Sequence, residues 1–310
     1  MKENIRIGYG NHIAELGHKN KDLILLEGDL ADSTQSETFQ IAHPDRHFQI
    51  GIAEQNMVGI AAGLALEGKI PIVNSFAAFI AMRALEQVRT SVAYPNLNVK
   101  FVVSHAGLSA GSAGPTHHTL EDIAIMRAIP NMTVLVPGDV KEMNQALDQA
   151  LDHKGPVYIR MSAADISPTY EDEVFRIGHA TQLSDGTDLT IMTTGTLMNQ
   201  GLEAVNILRQ HHDINARLLQ FASVKPIDVE AIMRAVKDTR HILTVEEHNI
   251  IGGLGSAVCE IATEFGNLRL KRLGINDHFS GIGTPDYLLH DEGLNVENIV
   301  KEAVTFISGV

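Results

Sequence analysis

Short apolar runs rich in β-branched residues alternate with longer helix-like stretches through most of this chain. Leu23–Leu26, Ile70–Val73, Val99–Val103, Thr133–Val136 and Val157–Ile159 are near-continuous apolar runs, the pattern of strands buried on both faces. Between them Glu54–Leu66, Met82–Ser91, Leu120–Arg127 and Val140–Leu151 read as helices. Strands separated by helices of about 10 to 15 residues mean βαβ units and a parallel sheet. Asp139, directly after Pro137-Gly138, is placed to cap the helix that follows. A polar stretch, Ser162–Glu173, holds Pro168 and four acidic residues and reads as a linker. A second series then runs through Leu189–Met192, Gly201–Gln210, Ala216–Gln220, Val229–Val236, Ile242–Val245 and Gly255–Phe265, with Asp228 placed as a further cap. The pattern predicts an α/β fold of two doubly wound domains. A mainly parallel-sheet domain spans 1–180 and a smaller α/β domain spans 181–310.

Composition narrows the class. A length of 310 residues suits two domains, and 44% apolar with 20% charged residues excludes disorder and fibrous structure. No apolar run reaches the ~18 to 20 residues of a membrane span. The start, Met1-Lys2-Glu3-Asn4-Ile5, lacks an apolar signal core, and the one cysteine, Cys259, cannot form an internal disulfide. Both features fit the cytoplasm. The net charge of −14, from 24 basic against 38 acidic side chains, argues against nucleic acid as a partner. These grounds alone suggest a cytosolic two-domain enzyme, complete in itself.

Four clusters could carry chemistry. Glu54 opens a helix rich in Gly and Ala; it either complements the helix dipole or is a buried acid able to share a proton with a ring nitrogen. Ser104-His105-Ala106-Gly107 and Gly111–His118 follow a buried strand, so they emerge at the carboxyl edge where open α/β sheets bind ligands. His105, His117 and His118 lie within fourteen residues there, without the spacing of a metal site. Phe76 and Phe79 read either as a core pair or as a stacking platform for a flat cofactor. Arg160, at the end of a strand, suits a phosphate or carboxylate, and equally a plain ion pair. Gly253 and Gly255 imitate a dinucleotide fingerprint, but Val258 stands where that needs Gly or Ala, so tight packing at a helix start is expected.

Gly28-Asp29-Leu30-Ala31-Asp32-Ser33, Ile52-Ala53-Glu54-Gln55-Asn56-Met57, Gly114-Pro115-Thr116-His117 and Glu246-Glu247-His248-Asn249 follow one another in the order and spacing of transketolase. The whole chain resembles the C-terminal half of that family: the pyrimidine-binding domain at 1–180, then the C-terminal domain at 181–310. It departs from the family in three ways. There is no Gly-Asp-Gly, the motif that with a downstream Asn holds the diphosphate and magnesium of thiamine diphosphate; Ala113 stands where Asp is common; and Met82 stands near an expected third aromatic.

The resemblance implies one subunit of a split transketolase, moving a two-carbon ketol unit from a ketose phosphate to an aldose phosphate. A separate N-terminal subunit would carry the diphosphate and Mg2+ site, in a heterotetramer of two chains each. By resemblance Glu54 would meet the aminopyrimidine ring nitrogen and favour the imino tautomer, and Phe76 and Phe79 would line that ring's pocket. Asp29 would lie near the cofactor at the dimer interface. His105 and His117 would meet the substrate's hydroxyls and carbonyl, while Arg6, Ser33 and Arg160 would hold its phosphate. Competing readings are the beta chain of a 2-oxo-acid dehydrogenase, a deoxyxylulose-phosphate synthase-like enzyme, and a non-catalytic partner subunit.

Overall fold

The computed structural model describes residues 2–169, 174–266 and 268–309; the 170–173 end of the expected linker lies outside them, as does Met1 of the N-terminal reading. The chain forms two α/β units, each built on its own sheet. The first sheet has seven strands, in the order Ser223–Lys225, Thr133–Leu135, Val157–Arg160, Lys100–Ser104, Ile70–Phe76, Leu23–Glu27 and His47–Gln49. All are parallel except Ser223–Lys225, which runs antiparallel to Thr133–Leu135. That edge strand comes from beyond residue 180, so the second half of the chain completes the sheet of the first.

Strand residues alternate between the two faces of the first sheet. Leu26, Val73, Phe101 and Val103 pack beneath Met57, Val58 and Ala61 of the helix Glu54–Leu66. Leu25, Ile72, Val102 and Ile159 pack on the other face against Tyr9 and Ile13 of the helix Ile5–Lys19 and Met143 and Leu147 of Val140–Asp152. Two covered faces are why these strands are apolar throughout. The second sheet orders Arg269–Ile275, His241–Asn249, Leu189–Thr193, Ala216–Gln220 and Thr181–Ser184, only the last antiparallel to its neighbour.

Asp139 and Asp228 cap their helices as their positions suggest, accepting from the backbone N–H of Glu142 and Ala231. Several regions differ from the pattern reading, the strand Arg269–Ile275 and the helix Val296–Ser308 among them. Met82–Ser91 is not one α-helix: Phe79–Arg83 and Val88–Ala93 are π-helical turns on either side of Leu85–Gln87. The expected linker is partly structured, since Asp165–Ile166 pairs antiparallel with Glu3–Asn4 and Ile166 is buried. The helix Ile5–Lys19 carries a weak apolar pattern because its buried stripe contains Gly10 and Gly17 in place of large apolar residues. A Cβ at Gly10 would come within 2.5 Å of the Gln35 carbonyl oxygen, and one at Gly17 within 2.4 Å of the His43 ring. Among the described residues no helix is long and apolar enough to cross a membrane.

Candidate active site

The parallel strands Leu23–Glu27, Ile70–Phe76, Lys100–Ser104 and Val157–Arg160 bring their carboxyl ends to one edge of the first sheet. The loop after Lys100–Ser104 folds back on itself, because Gly107 and Thr119 exchange two backbone hydrogen bonds of 3.1 Å. Gly107 has φ +63°, and a Cβ there would lie 2.4 Å from Glu247 Oε1. The same oxygen accepts from the Leu108 N–H at 2.6 Å, so the second domain fixes the loop.

The fold-back joins the histidines to the phenylalanines. His105 stacks on Phe76 at 3.9 Å between ring centres, and Phe76 stacks on Phe79 at 5.8 Å. His117 stands edge-on to both phenylalanines, at 6.3 and 5.4 Å. Burial chiefly, with Arg6 and His117 adding positive charge nearby, pushes the His105 imidazole down to about 4. His105 is therefore neutral at pH 7, its Nδ1 2.9 Å from Ser104 Oγ. At pH 5, where an exposed histidine is almost fully protonated, the ring-nitrogen NMR shifts of His105 should still report a mostly neutral imidazole. A midpoint near the ordinary 6.5 would contradict the burial.

Glu54 begins its helix with a side chain that has no solvent exposure, and Arg83 Nη1 donates to both of its oxygens at 2.9 and 2.8 Å. The Arg83 guanidinium carbon lies 4.3 Å from the centre of the Phe79 ring, which links the carboxylate to the aromatic cluster. The sequence reading missed Arg83; the available signal was its place four residues after Phe79 in the same turn.

The other expected residues divide. Arg6 reaches the Ser33 turn, donating from Nη1 to the Ser33 carbonyl at 2.8 Å and from Nη2 to that of Ala163 at 3.3 Å. Its charge is also felt at His105. Asp29 lies exposed at the same sheet edge with φ +66°, and its carboxylate has no hydrogen-bond or ion-pair partner among the described residues.

Arg160, expected at a phosphate, is largely buried and turned toward a carboxylate of its own chain. Its side chain is 6% exposed, and Nε donates to both oxygens of Asp122 at 3.1 and 2.9 Å. Nη2 donates to the carbonyls of Thr119 and Glu247 at 3.2 and 3.0 Å. The strand end aims this guanidinium inward, where a buried carboxylate neutralises it.

The Glu246–Asn249 segment joins the domains. Glu246 accepts from the N–H groups of Leu254 and Gly255 at 2.6 and 2.8 Å, closing the start of the helix Leu254–Ala262. A Cβ at Gly253 would sit 1.9 Å from Glu246 Oε2, so this glycine run is the tight packing the sequence suggests. His248 accepts from the Ala124 N–H through Nε2 and donates through Nδ1 to the Asn249 carbonyl. Burial first of all pushes His248 down to about 4. Held below 6.5, His105 and His248 each contribute stability that is lost as pH falls from about 6.5 toward 4, while Glu27 and Glu246, raised by burial to about 7, act in the opposite sense over the same range. Among the described residues no group of three or more His, Cys, Asp or Glu is arranged to hold a metal.

Two family models match the chain: "Transketolase, pyrimidine binding domain" over residues 2–167 and "Transketolase, C-terminal domain" over 178–299. A Methanocaldococcus jannaschii protein, provisionally named a transketolase C-terminal section, is 46% identical over 96% of this chain and 94% of its own length. The SqwH subunit of a 6-deoxy-6-sulfo-D-fructose transketolase from Clostridium sp. (strain MSTE9) is 40% identical, covering 96% and 93%. A solved structure titled as a split-gene transketolase, an inactive beta4 tetramer, superposes with a TM-score of 0.91 at 40% identity, covering 98% of each chain.

Proposed function

The chain belongs to the transketolase family, and from that premise we propose that it is the C-terminal subunit of a two-chain ketol transferase dependent on thiamine diphosphate. One observation carries the reading: the buried Glu54 is joined through Arg83 to the cluster of Phe76, Phe79, His105 and His117 at the sheet's carboxyl edge. A buried carboxylate beside an aromatic stack fits an aminopyrimidine ring. Relatives named as a C-terminal section and as a subunit match over 94% and 93% of their own length, which supports a separate N-terminal subunit holding the diphosphate and Mg2+. Two copies of each chain, in the cytoplasm, complete the proposal.

When bound, thiamine diphosphate supplies the electron sink for carbon–carbon bond cleavage. Glu54 holds and shares a proton at the ring nitrogen, which needs the burial it has. Phe76 and Phe79 line the ring pocket, and the exposed Asp29 meets the partner near the cofactor. His105, neutral, and His117 hydrogen-bond the substrate's hydroxyls and the carbonyl under attack. Arg6 and the Ser33 turn take the phosphate, while Arg160 is engaged with Asp122.

Relatives are named for 6-deoxy-6-sulfo-D-fructose and for apulose 4-phosphate, and Ala113 departs from the usual Asp, so the donor sugar calls for a screen. The two subunits would be co-purified with thiamine diphosphate and Mg2+ and offered ketose phosphates, each with an aldose phosphate acceptor, and in parallel 2-oxo acids. Ketol transfer from at least one donor is expected. Decarboxylation of 2-oxo acids with no ketol transfer would assign the chain to the beta chain of a dehydrogenase.

A further inference from the structure

Glu54 already has a flat cationic partner. Arg83 Nη1 straddles the two carboxylate oxygens at 2.9 and 2.8 Å while the guanidinium carbon lies 4.3 Å from the Phe79 ring centre. A planar group of N–H donors, laid over an aromatic ring and bonded to a buried carboxylate, makes the two contacts an aminopyrimidine would make in that place. Both cannot hold the same oxygens and the same ring face. We propose that the Arg83 guanidinium is an internal stand-in for the cofactor's aminopyrimidine, filling the Glu54–Phe79 place in the free subunit and leaving when the ring docks. The proposal rests on the thiamine-diphosphate reading above.

The surroundings suit such an exchange. Glu54 is fixed, with no exposure, whereas the Arg83 side chain is 45% exposed and can swing into water without losing solvation. In a subunit made apart from its partner, Glu54 without Arg83 would be a buried charge with nothing to balance it. The same pairing opposes the cofactor, because the ring binds only the fraction of molecules in which Arg83 has moved off, and the apparent affinity falls by that fraction.

Substitution therefore has an unusual sign. Arg83→Met keeps an apolar stem beside Phe79 and removes every donor. Thiamine diphosphate would be titrated calorimetrically, with Mg2+ present, into the complex of the two subunits. Arg83→Met should bind it about tenfold more tightly than wild type, and Arg83→Lys, which restores the charge, should bind close to wild type. A purely structural arginine would give no tightening. Should the methionine variant fail to assemble, Arg83→Gln is expected to tighten binding in the same way. Equal or weaker binding by an assembled Met or Gln variant overturns the proposal. A wild-type complex that takes up no thiamine diphosphate overturns the underlying reading, and this inference with it.

Discussion

Glu54→Ala should lower the turnover of the reconstituted enzyme about 1,000-fold while the two subunits still assemble. The reason is protonic. Only a side chain that can both accept and return a proton serves a ring nitrogen. Glu54→Gln, which keeps the size and one hydrogen bond but cannot exchange a proton, should therefore lose nearly as much. The cost in stability is small by comparison. The partner left behind, Arg83, is 45% exposed and can be solvated, so the loss should be about 1 kcal/mol or less. Steady-state kinetics and size-exclusion chromatography on the same preparations separate the two effects. Retained wild-type turnover in either variant would remove Glu54 from the chemistry.

Arg160→Met is expected to act on the fold. The guanidinium balances Asp122, whose side chain has no exposure and also accepts from the Tyr158 hydroxyl at 2.9 Å. Removing it strands that carboxylate in the core, takes away the side-chain donor to the Glu247 carbonyl and leaves the Thr119 carbonyl with the Gly107 N–H alone. Losing one partner of a buried pair costs about 3 to 5 kcal/mol, which for a protein of this size lowers the melting temperature by on the order of 10 °C. Replacing both partners, Arg160→Met with Asp122→Leu, should recover much of the loss, because no charge is then left unpaired. A single variant that melts like wild type but shows a raised KM for sugar phosphates would return Arg160 to the substrate.

The contrast between these residues shows what the sequence could convey. Continuous apolar strands, the helix Glu54–Leu66 and the caps at Asp139 and Asp228 follow from local patterning, and they appear in the structure with shifts of a few residues at most. The clustering of Phe76, Phe79, His105 and His117 also follows from position, since all hang from the carboxyl ends of adjacent strands. Side-chain direction was not legible. Arg160 sits at a strand end as a phosphate-binding arginine would, but Asp122, 38 residues away, draws it inward. Arg83 could not be read as a partner of Glu54 because a π-helical turn sets its direction, and the pattern there suggested a regular helix. The edge strand Ser223–Lys225 is three residues long and borrowed across the domain boundary, so no local period marks it.

The central claim, that this chain supplies half of a shared active site, is tested most directly by assaying ketol transfer with the isolated chain, with the N-terminal subunit alone, and with their mixture, all with thiamine diphosphate and Mg2+. Activity confined to the mixture, rising to a plateau at equal amounts of the two chains, is the expected result. Full activity from the isolated chain would contradict it.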